Sequence, residues 1–166
     1  MISTTRIRRG LPMLAAAMLT SPVLGAASEK ADCRWQLELF DPRSDTVVGM
    51  VPLAVGEPGF RLAYTHSVFG TDVVSRYRIR GGQIVQIGEV FTDPGYGMAS
   101  STVDGEGRLT HDDGRLHLEL DRPIPALTVR VQKSQNNRIE GAMSVDLGEA
   151  VGDGPIGIRP VQTCRG

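Results

Sequence analysis

The chain has 166 residues, with 18 Lys and Arg against 19 Asp and Glu and a formal net charge of −1. That balance excludes the basic footprint of a nucleic-acid binder and a polybasic membrane patch. Only 5% of the residues are aromatic, so the core has to be built mainly from aliphatic side chains.

Residues 1–27 read as a secretory leader. Arg6, Arg8 and Arg9 form a positive start, an apolar run extends from Leu11 to Leu24, and Gly25-Ala26-Ala27 supplies small residues for cleavage. The run is shorter than the roughly 20 residues of a bilayer span. Cleavage leaves residues 28–166 as a single domain, expected in the periplasm or otherwise exported, with no stable membrane insertion. Its charge becomes −4, because the leader removes three arginines and no acid from the −1 of the whole chain. The Arg8-Arg9 pair leaves both the general and the twin-arginine export routes open. Cys33 and Cys164 lie near the two ends of the exported part, and an even pair in such a chain predicts a disulfide.

From Arg34 onward Gly and Pro punctuate short runs of alternating polarity, the pattern of antiparallel strands. Trp35, Leu37 and Leu39 share one face of the first run. Leu62, Tyr64 and His66 share a face of the next, and Val73, Ser75, Tyr77 and Ile79 share a face of a third whose other side carries Arg76, Arg78 and Arg80. Gly81-Gly82 predicts a tight hairpin into Gln83–Phe91, where alternation places Val85, Ile87, Glu89 and Phe91 together. Turns at Gly105-Glu106-Gly107 and Asp112-Asp113-Gly114 lead into Leu116, Leu118 and Leu120. Leu127, Val129 and Val131 follow, then an alternation running from Ile139 through Gly141, Met143 and Val145 to Leu147, and a last strand at Ile156-Gly157-Ile158. No exported segment keeps a 3.6-residue period over helical length. The expected architecture is all-β, one antiparallel sandwich or partly closed barrel of about nine or ten strands from Asp32 to Cys164, with Trp35, Tyr64, Tyr77 and Phe91 anchoring the core.

Three motifs in the run from Phe60 to Ala99 are distinctive: Tyr64-Thr65-His66-Ser67-Val68, Thr71-Asp72-Val73-Val74-Ser75-Arg76-Tyr77, and Gly95-Tyr96-Gly97. In these the chain resembles the DUF1850 family (domain of unknown function 1850) of bacterial envelope proteins. A weaker likeness continues through Leu127–Val131 and Asn137-Arg138-Ile139. The chain departs from the family pattern at Phe69 and Ser75, where glutamate is frequent, and at Asn137, where histidine is. The resemblance implies an association with tripartite (TRAP-type) solute transporters that use a TAXI-type binding protein.

Among individual residues, His66 sits on an apolar strand face, and a buried imidazole needs a partner. Glu89, equally out of place on its own face, is the candidate partner; the alternative is a structural bond within the His66-Ser67-Val68 turn. Ser67 is adjacent to His66, and neighbours on a strand point to opposite faces, which excludes a direct nucleophile–base pair in extended chain. Gly95, Tyr96 and Gly97 can turn backbone N–H groups towards an anion or simply permit a turn. His111 and His117 flank a polar turn, and a metal site would require His66 to converge with both. The ligand- or partner-binding candidates are therefore His66, Ser67, Glu89, Gly95, Tyr96 and Gly97; no catalytic residue, metal or cofactor is expected. The expected role is that of an exported, non-enzymatic accessory or partner-binding protein of a TRAP/TAXI-type transport system. The alternatives are a small-ligand or anion-binding envelope protein and a structural envelope protein without a site.

Overall fold

A computed structural model describes residues 32–92 and 107–165. The expected leader, residues 1–27, and the turn expected at Gly95-Tyr96-Gly97 lie outside these residues. Two antiparallel sheets face each other. The first is built from β1 (Asp32–Asp41), β2 (Thr46–Pro52), β8 (Leu127–Val131) and β11 (Gly154–Arg165), in the order β2-β1-β11-β8. The second contains β3 (Gly59–Thr65), β4 (Asp72–Arg80), β5 (Gln83–Phe91), β6 (Gly107–Asp112), β7 (Arg115–Ile124), β9 (Arg138–Glu140) and β10 (Ser144–Asp146), in the order β10-β9-β3-β4-β5-β7-β6. A one-turn 3-10 helix (Lys133–Gln135) and a short helix α1 (Leu147–Val151) complete the described residues. The architecture is an all-β sandwich; the sheets stay open at their edges and do not close into a barrel.

Alternation explains most of this. In β1, Leu37 and Leu39 are buried, and Trp35 packs partly buried against the same core. In β4, Val73, Ser75, Tyr77 and Ile79 are all buried, while Arg76, Arg78 and Arg80 lie on the other face. The Gly81-Gly82 hairpin forms as its sequence requires, both residues taking positive φ, 55° and 79°. The main core joins Leu37, Leu39, Val51 and Ile158 of the small sheet to Phe60, Leu62, Tyr77 and Ile139 of the large one. Phe60, stacked on Tyr77 with ring centroids 4.9 Å apart, anchors this core beside the expected Tyr77. A second cluster of Val73, Phe91 and Leu118 sits apart from it on the large sheet.

Three expectations are corrected. There are eleven strands among the described residues, not nine or ten, because β2 is a strand without clean alternation. As an edge strand it leaves Val47, Val48 and Met50 exposed, so apolar residues occur on both of its sides. The single alternation from Ile139 to Leu147 is broken into a β9–β10 hairpin and the start of α1. Asp146 caps that helix by accepting from the Glu149 backbone N–H at 2.9 Å. Finally, Val85 and Ile87 do not share a face with Glu89 and Phe91. The pairing of β5 with β4 shifts between Arg76 and Tyr77, which face Gly88 and Gln86, leaving Ile87 as an extra residue. This β-bulge reverses the phase of β5. Upstream, Ile84 and Gln86 point inward; downstream, Glu89 and Phe91 do.

The ends of the fold are held by β1 and β11, paired from Asp32 with Arg165 to Phe40 with Gly157. Cys33 and Cys164 are directly opposed in that ladder and form the disulfide. Their sequence separation of 131 makes the crosslink close nearly the whole domain, worth about 5 kcal/mol in the chain-entropy account. Reduction should lower the urea midpoint and leave the fold intact under native conditions, and a Cys33→Ser, Cys164→Ser variant should melt at the reduced protein's midpoint. Coincident urea curves for oxidised and reduced protein would show that the crosslink carries no stability.

Candidate functional site

Between the sheets, where β3, β4, β5 and β7 pass under β8, lies a cavity of about 580 Å³. Sites for small molecules usually span about 300–1,000 Å³. Apolar walls come from Leu62, Ile124, Leu127 and Val129, and the tyrosines Tyr64 and Tyr77 line it as well. The three buried polar side chains among the described residues, Ser75, Gln86 and Asn137, all line this one cavity. Buried polar groups need partners, and each has one. Ser75 Oγ donates to Glu89 Oε1 at 2.8 Å, Gln86 Oε1 accepts from the Arg122 guanidinium at 2.5 Å, and Asn137 Oδ1 accepts from the Gln132 backbone N–H at 2.8 Å.

Glu89 is the chemically decisive member. The half-buried carboxylate faces the cavity because of the bulge at Ile87. An ionised carboxylate has about four acceptor positions. Among the described residues only Ser75 fills one, and no cation stands within ion-pair distance. Its charge is felt by the neighbouring phenols. Burial pushes the Tyr64 hydroxyl above its ordinary 10.0, and the Glu89 charge pushes it further. Burial does the same to Tyr77; Glu89 adds to the rise, while Ser75 and the Arg122 charge oppose it. Arg122, exposed at the rim, is held by Gln86.

The other sequence candidates lie elsewhere. His66 follows β3 at the tip of the β3–β4 hairpin. Its Nδ1 accepts from the backbone N–H groups of Val68 and Phe69 at 3.2 and 3.4 Å, and its ring lies 5.0 Å from that of Phe69. His66 therefore organises its own turn, and Glu89 is bonded to Ser75 instead. Ser67 is exposed on that turn and makes no hydrogen bond to the imidazole among the described residues. His111 pairs with Leu116 and Thr110 with His117, so the two histidines stand on opposite faces of the β6–β7 hairpin. Gly95, Tyr96 and Gly97 fall outside the described residues. Of the expected binding residues that are described, His66, Ser67 and Glu89, only Glu89 lines the cavity.

Sequence reasoning missed Gln86 and Arg122 as site residues, read Ser75 as a strand-face residue and a departure from the family pattern, and read Tyr77 as a core anchor. The signal for Ser75 and Asn137 was present: both are positions where the chain departs from the resembled family, and both line the cavity. The family signature of DUF1850, a domain of unknown function, matches residues 60–144. The chain belongs to the DUF1850 family. That span runs from β3 to the start of β10 and includes every residue that lines the cavity. No curated protein and no solved structure matches the chain significantly.

The tyrosine environment gives a pH dependence with a defined sign. The unfolded chain ionises its phenols near 10.0, whereas folded Tyr64 and Tyr77 hold their protons beyond it. Above that pH the folded state binds more protons than the unfolded one, so stability should fall as pH rises past 10.0. In a Tyr96→Phe background only these two tyrosines remain. Their 295 nm titration should lie above that of free tyrosine, and Glu89→Gln should move it down. A titration identical to free tyrosine would contradict the buried arrangement.

Proposed function

We propose that this protein is an exported, non-enzymatic binding protein whose inter-sheet cavity takes a small organic amine on an apolar body, and that it serves as an accessory of a TRAP/TAXI-type solute transport system. The observation that carries the ligand reading is Glu89: a half-buried carboxylate that faces the cavity with no cationic partner among the described residues. A charge removed from water is costly unless it is paired, and a ligand ammonium supplies the pair. Tyr64 and Tyr77 line the same cavity, close enough for their hydroxyls to respond to the Glu89 charge. Leu62, Ile124, Leu127 and Val129 suit an apolar body, and Gln86 and Asn137 keep amide N–H donors for its polar substituents.

Binding rather than turnover is favoured because His66 is engaged in its turn and offers Ser67 no base. Export rests on the leader and is consistent with the crosslink between Cys33 and Cys164. The transport context rests on the family resemblance. A contact point for a transport partner is the β3–β4 tip, where Val68 and Phe69 leave 76% and 46% of their surface exposed. No helix among the described residues is long and apolar enough to cross a membrane.

Calorimetric titration with benzylamine, benzyl alcohol and benzoate tests the charge requirement on one apolar body. Benzylamine should bind and the other two should not, and Glu89→Gln should weaken the amine about tenfold or more, the worth of a charge-assisted hydrogen bond. Equal binding of all three, or a Glu89→Gln variant that retains full affinity, would remove the amine reading. The transport role is tested by solute uptake in cells with and without the gene; unchanged uptake would contradict it.

A further inference from the structure

The outer face of the large sheet carries a second polar feature, back to back with the cavity across β4 and β5. A groove of about 710 Å³ runs over it, lined by Arg61, Arg76 and Arg78 with Ile87 among the apolar contacts. Sheet position fixes Arg76 there, since its neighbours Ser75 and Tyr77 both point inward. The cross-strand partner of Arg76 is Gly88. A Cβ at Gly88 would stand 2.5 Å from Arg76 Nη2 and 3.1 Å from Nε. The guanidinium therefore occupies the space that a side chain at position 88 would fill.

The basic residues on this face differ in their partners. Arg78 reaches Glu57 at 3.3 Å, Arg80 reaches Asp121 at 2.6 Å, and Arg61 lies 3.9 Å from Glu140. Arg76 has no carboxylate partner among the described residues, and its Nε is buried without a hydrogen bond. A half-buried guanidinium with a seat built for it and no carboxylate paired to it among the described residues is a binding group in search of an anion. Glu57 and Glu140 on the rim are already held by Arg78 and by Arg61 and Arg138.

We infer that this groove is a site for a small oxyanion, a carboxylate, sulfate or phosphate group, held by Arg76 and flanked by Arg61 and Arg78. Arg76 supplies the planar fork that such anions match. Arg78 is paired only with the exposed Glu57, and Arg61 stands 3.9 Å from the half-buried Glu140, which Arg138 already holds more closely, so both contacts contribute little. This inference is independent of the amine reading, because it uses the opposite face of the sheet and a charge of the opposite sign.

The test is an NMR titration of the backbone amides with sodium sulfate and with sodium citrate, against sodium chloride at matched ionic strength. Either oxyanion should give saturable shifts at Arg76, Arg78 and Gly88 that chloride does not. Arg76→Gln should weaken binding about tenfold or more, while Arg80→Gln, which removes an arginine paired with Asp121, should leave it unchanged. Gly88→Ala keeps every charge but fills the seat of the guanidinium, and it should weaken binding as well. Urea melts check that each variant is folded. If Arg76→Gln does not fold, the exposed pair Arg61→Gln and Arg78→Gln carries the test with the same expected direction. Shifts no larger than those with chloride, or equal losses for Arg76→Gln and Arg80→Gln, would reduce the groove to diffuse charge screening and overturn the inference.

Discussion

One extra residue in β5 organises both faces of the large sheet. A regular strand would send positions 86 and 89 to opposite sides, since their separation is odd. The bulge at Ile87 lets Gln86 and Glu89 both enter the space between the sheets. Neither neighbouring strand changes phase: Ser75 and Tyr77 stay inward on β4, and Leu118 and Arg122 stay on one face of β7. The same irregularity sets Gly88 opposite Arg76 and so makes room for a guanidinium on the outside. An acid inside and a base outside, each without an ionic partner among the described residues, thus follow from one insertion.

Energetics separate scaffold from site. The main core is apolar and continuous, and the β1–β11 ladder with its disulfide joins the two ends of the domain. Glu89 is not a member of that apolar core; it is half-buried, and its one side-chain hydrogen bond among the described residues comes from Ser75.

The fold was largely legible in the residues because antiparallel strands with one buried face alternate by necessity. Trp35-Leu37-Leu39 and Val73-Ser75-Tyr77-Ile79 were readable for that reason, and so was the Gly81-Gly82 hairpin. What escaped was where alternation stops carrying information. The edge strand β2 has apolar residues on both sides, and the alternation from Ile139 to Leu147 crosses a hairpin that local pattern does not mark. The site was harder. Glu89 stood out as an acid on an apolar run, yet the bulge that orients it has no local signature. His66 stood out equally and proved to serve its own turn, because a polar residue on a strand pattern looks the same whether its partner is a ligand or its own backbone. Arg122 and Gln86 meet across a gap of 36 residues and are joined only by the tertiary pairing of β5 and β7.

The central proposal is that Glu89, a carboxylate with no cationic partner among the described residues, faces an inter-sheet cavity that takes an organic cation. A crystal structure of the protein with benzylamine tests it most directly. The account predicts the aromatic ring among Leu62, Ile124 and Leu127 and the ammonium nitrogen at about 2.7–2.9 Å from a Glu89 carboxylate oxygen. A structure with the amine on the outer surface, or with the cavity closed by Arg122 paired to Glu89, would contradict it.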